Sequence, residues 1–79
     1  MNVTTDATYL STRAATFALY ERERDLALKR KERDEYKEGE FERLRDAQRA
    51  EYAAAMCRAY AEFQEREARQ AAAALPSPL

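Results

Sequence analysis

The side chains that most often carry chemistry are nearly missing from this sequence. Its 79 residues include no histidine and a single cysteine, Cys57. Without an imidazole there is no Ser–His or Cys–His dyad, and the commonest general base is gone. One thiolate cannot assemble a zinc site of the usual ligand types. The only glycine, Gly39, leaves no glycine-rich loop to cradle a phosphate. Carboxylates are plentiful but sit in wet, charged stretches, with no pocket to shift their pKa values. Cys57 follows Met56 in an alanine-rich run and reads as a small buried or half-buried hydrophobe. Arg58 alone is weak support for a reactive thiolate. The expectation is a non-enzymatic protein with no cofactor, no metal and no small-molecule substrate.

Charge narrows the partners. There are 14 basic and 15 acidic side chains, and both signs are spread through both halves. That balance lacks the basic footprint of sequence-independent nucleic-acid binding and offers no hold on an anionic membrane. No apolar run approaches the ~18 residues of a membrane span, and no basic-then-apolar leader opens the chain. A lone cysteine fits a reducing compartment, so a cytoplasmic location is expected. A mitochondrial matrix protein or a virus-encoded intracellular protein would share these features.

The elements that carry these residues read as helices. From Asp6 to Ala74 there is no proline and one glycine, and strong helix formers dominate. Thr4, Thr5 and Asp6 are candidate N-caps, with Ser11 a later option. Pro76 pushes Leu75 out of helical geometry, so the helix should stop near Ala74. The expected organisation is a disordered arm over 1–5, helix 1 over 6–38, a turn or helix continuation at 39–40, helix 2 over 41–74, and a flexible proline-containing tail over 75–79. As a C′ residue, Gly39 would close helix 1. The fold class is all-α: an antiparallel helical hairpin broken near Gly39, or the equivalent antiparallel dimer of one long helix.

Folding back at Gly39 brings residue i near residue 78 − i. Phe17 then falls near Tyr60 and Ala61, Leu10 near Ala68, and Leu26 near Tyr52, so large side chains meet alanines. One heptad-like stripe runs through Val3, Ala7, Leu10, Ala14 and Phe17, meets Glu21 and Arg24, and recovers at Leu28. Another runs through Phe41, Leu44, Gln48, Tyr52, Ala55, Ala59 and Phe63. Neither sustains a regular seam, which points to short, irregular coiled-coil packing. The expected packing seam is Leu10, Phe17, Tyr20, Leu28, Leu44, Tyr52, Met56, Tyr60 and Phe63.

Seventeen alanines, one valine and no isoleucine or tryptophan make a thin core for a chain of this length. A protein partner or self-association, most simply a homodimer, should complete it. Tyr9, Leu19 and Tyr36 cannot all lie inside a two-helix seam and are the candidates for such a partner surface. The function expected is a helical protein–protein interaction module, acting as a homo-oligomer or as a small subunit or inhibitor on a larger protein. The alternative is a nucleic-acid-associated helix using Lys29–Arg33 together with Arg43, Arg45 and Arg49. The interleaved Glu32, Asp34 and Glu35 favour a self-paired, solvated face instead.

Overall fold

A computed structural model describes residues 6–74. The arm and tail expected at 1–5 and 75–79 lie outside the described residues. The chain forms two helices, α1 (Ala7–Glu32) and α2 (Glu40–Ala74), packed side by side as an all-α hairpin. The reversal occurs within one molecule, so the single-long-helix alternative is not the form adopted.

Asp6 starts α1. Its backbone is extended, and its carboxylate accepts the Tyr9 N–H at 2.6 Å, occupying one of the donors a helix start leaves unpaired. The stop differs from expectation. Helix α1 ends at Glu32, not 38, because Asp34 takes a left-handed backbone with φ 58°. Glu35 N donates to Arg30 O and Asp34 N to Lys31 O, both at 3.0 Å. These two bonds make a Schellman closure with Asp34 in the C′ place usually held by glycine. Lys29, Arg30 and Lys31 crowd the last turn, where positive charge complements the helix dipole.

Gly39 therefore serves the other helix. With φ 82°, it presents its carbonyl to Arg43 N at 3.1 Å, the first bond of α2. The Glu40 carboxylate accepts the Lys37 N–H, and Glu40 N donates back to Lys37 O. Glu40, a poor N-cap by type, works here as a side chain folded back over the turn.

Moving the turn moves the register. Tyr9 meets Phe63, Tyr20 meets Tyr52, and Asp6 meets Arg66, so partners sum to 72 rather than 78. Phe17 consequently lies against Tyr52, not Tyr60 and Ala61. Rings meet rings more than alanines, although Ala59 is buried in one cluster with Tyr9 and Phe63. The resulting core is small. The accessible surface of 6252 Å² exceeds the roughly 4,900 Å² expected of a compact monomer of this mass. The molecule measures 70 × 18 × 12 Å, one helix pair thick.

Candidate functional site

Three clusters line the seam from the open end to the turn. At the open end the Tyr9 ring sits 5.4 Å from Phe63 and 6.2 Å, edge-on, from Tyr60. Phe63 is the most deeply buried large side chain, at 2 % exposure. Above it, Asp6 holds both the α1 terminus and Arg66 Nη2 at 3.1 Å. The Tyr9 N–H, then Arg66, hold the Asp6 carboxyl below the usual carboxylate range, outweighing the desolvation that opposes them.

The middle of the seam is polar. Arg45 is buried, at 8 % exposure, and donates to Gln48 Oε1 at 2.6 Å and to the Tyr20 hydroxyl at 3.1 Å. Gln48 Nε2 in turn donates to the Glu23 carbonyl at 3.3 Å. Two side chains of α2 thus grip one side chain and one backbone carbonyl of α1. Sequence reasoning placed Arg45 in a candidate basic patch, and this network was missed. Its signal was Gln48, a polar residue interrupting the apolar stripe of α2, with Arg45 one turn before it.

At the turn, Tyr36 and Phe41 stack obliquely at 5.8 Å. Arg30 covers Tyr36 at 4.8 Å and Lys31 covers Phe41 at 4.3 Å, which shields both rings. Glu35 accepts from Arg30 at 3.3 Å and Arg33 at 2.8 Å, while Asp46 holds Arg49 at 3.1 Å. With Arg45 buried, the basic residues of the nucleic-acid alternative largely face their own acids and rings rather than forming a stripe.

The expected seam and partner surface need correction on this geometry. Phe63 is buried, and Tyr20, Leu44, Tyr52 and Met56 are half-buried. Leu10, Phe17, Leu28 and Tyr60 are instead exposed at the edge. The buried positions of α1 are Tyr9 and Ala27, each one residue before Leu10 and Leu28. One residue turns a helix by about 100°, so the apolar stripe of α1 faces sideways. Tyr9, expected on a partner surface, is core because its ring closes over Phe63. Tyr36 is half-buried under Arg30 and Phe41. Leu19 is exposed, as is Cys57, which lies on the outer side of α2 rather than inside.

What remains open are two flanks along the seam. One carries Leu10 and Phe17 beside Tyr52, then Arg24 and Leu28 beside Phe41 and Arg49. The other carries Leu19 beside Ala55, then Leu26 beside Leu44 and Ala47. Phe17 is 45 % exposed and Leu26 61 %. Among the described residues no cluster of metal-binding side chains occurs, and no helix is long and apolar enough to cross a membrane. No protein-family model matches this sequence, and no curated protein or solved structure matches it.

Proposed function

We propose that this chain is a non-enzymatic helical protein–protein interaction module, acting as a homo-oligomer or as a small subunit or inhibitor that packs on a larger protein. The observation that carries this reading is the pair of exposed apolar flanks beside a thin seam. Leu10, Phe17 and Leu28 on one side, and Leu19 and Leu26 on the other, are left in water by the hairpin. About half of each side chain is still in water, so covering what remains is worth about 1 kcal/mol apiece, roughly half the value of burying a whole side chain. A two-helix hairpin with an apolar strip on each flank is half of a helical bundle. The mechanism is steric: a partner's helices bury these strips, while the charged outer faces keep the free chain dispersed and reject mismatched surfaces. The cytoplasm, where a lone thiol stays reduced, suits such a protein.

Light scattering coupled to size exclusion, melting curves at several concentrations and binding of an apolar dye test this reading together. A dimer or larger assembly, with a melting temperature that rises with concentration, is expected of the homo-oligomer. A soft monomer that binds the dye is expected of a subunit awaiting its partner. A monomer that melts high, independently of concentration, and binds no dye would overturn the reading.

A further inference from the structure

The flank of α1 bearing Phe17, Glu21, Arg24 and Leu28 has a symmetry that singles out an occupant. Resting on the interaction-module reading, we infer that a second copy of this chain docks there antiparallel, with a two-fold axis passing between Glu21 and Arg24. The four residues follow one another at steps of four, three and four, which keeps them on one helix face. Their order is apolar, acidic, basic, apolar. Half a turn about the axis sends Phe17 onto Leu28 and Glu21 onto Arg24. Apolar then meets apolar and acid meets base, each twice, as a two-fold interface requires.

The side chains are free to do this. Phe17 and Leu28 are 45 % and 42 % exposed. Glu21 makes no ion pair among the described residues. Arg24 reaches only the exposed Asp25 next to it, at 3.6 Å, and its Nε has no hydrogen-bond partner. That Nε is shut off from solvent, but the Arg24 side chain as a whole is 39 % exposed, so the outer part of the guanidinium is where the Glu21 carboxylate of a second copy would pair.

Other arrangements fail on charge. Parallel docking would set Glu21 against Glu21 and Arg24 against Arg24. The opposite flank has the same spacing in Leu19, Glu23, Leu26 and Arg30, but the half-turn there puts leucine on arginine and glutamate on leucine. Over these four central positions the Phe17 flank is self-complementary and the Leu19 flank is not. The antiparallel overlap runs from Tyr9 to the turn, about 40 Å at ~1.5 Å per residue. Across the 18 Å width of the hairpin this covers roughly 700 Å² per copy, near the ~800 Å² that a specific dimer buries.

Charge reversal tests the pairing in the full chain. Glu21→Arg and Arg24→Glu should each raise the dimer dissociation constant by about tenfold or more, because each sets two like charges against each other. The double variant carrying both changes should return to within about threefold of the original. Circular dichroism checks that helicity is kept; if a reversal unfolds the hairpin, Glu21→Gln and Arg24→Gln read the same pairing. A dimer indifferent to all these changes overturns the proposal and leaves the interaction-module reading standing. So does a dye-binding monomer. A rigid monomer that binds no dye removes both.

Discussion

Arg45 on α2 donates to the Tyr20 hydroxyl on α1 at 3.1 Å, and its guanidinium carbon stands 5.4 Å from the centre of the same ring. No carboxylate pairs with Arg45 among the described residues, so a buried cation is held by a ring, a hydroxyl and an amide. Burying a charge without an opposite charge is costly, which makes Arg45 a device for alignment more than for stability. Arg45→Ala should destabilise the hairpin by about 1–3 kcal/mol, since it strands Gln48 and the Tyr20 hydroxyl. Arg45→Met fills the same space without the charge and should cost less, or even raise the melting temperature. Thermal melts of the two variants check the order.

The two phenylalanines should separate folding from association. Phe63 is buried against Tyr9, and Phe63→Ala should cost about 3–5 kcal/mol, enough to unfold so small a core. Phe17→Ala should leave helicity largely intact and weaken assembly, because its ring is half exposed on the flank. Circular dichroism reads the first effect and light scattering the second. Equal loss of helicity in both variants would contradict the division.

Acid should loosen the open end. The folded Asp6 carboxyl titrates below its unfolded value of about 3.9, so its contribution is complete above that value and is lost as pH falls through the folded one. The melting temperature should hold from neutrality to about pH 5 and fall below about pH 4. Asp6→Asn keeps the cap oxygen but loses the charge facing Arg66, so its melting temperature should start lower and fall less over that interval.

Two left-handed residues set the turn. Gly39→Ala should destabilise by about 1 kcal/mol or more, since φ 82° is a backbone conformation that a residue with a Cβ resists, whereas the Arg43 guanidinium that the Cβ would meet can swing aside. Asp34→Gly should be tolerated, whereas Asp34→Val should lower the melting temperature, because a β-branched residue resists φ 58°. Urea melts of the three variants give the ranking.

Helix content was readable residue by residue. The absence of proline from Asp6 to Ala74, the abundance of alanine, leucine and glutamate, and the Asp6 cap are local facts acting through local energies. The choice of Asp34 as the stop was not readable, because aspartate visits the left-handed region only when its surroundings favour it. Here the Tyr36–Phe41 pair and the Glu35 ion pairs provide those surroundings.

The sequence by itself determined that this chain is helical and poor in large buried side chains, and that it lacks the residue types of common active sites. Tertiary structure alone decided the register, and with it which apolar stripe is covered. A helix stripe is defined only by spacing along its own axis, whereas its facing depends on contacts from the other helix. Here the contacts of Tyr9 with Phe63 and of Arg45 with Tyr20 rotate α1, so that Leu10, Phe17 and Leu28 look outward.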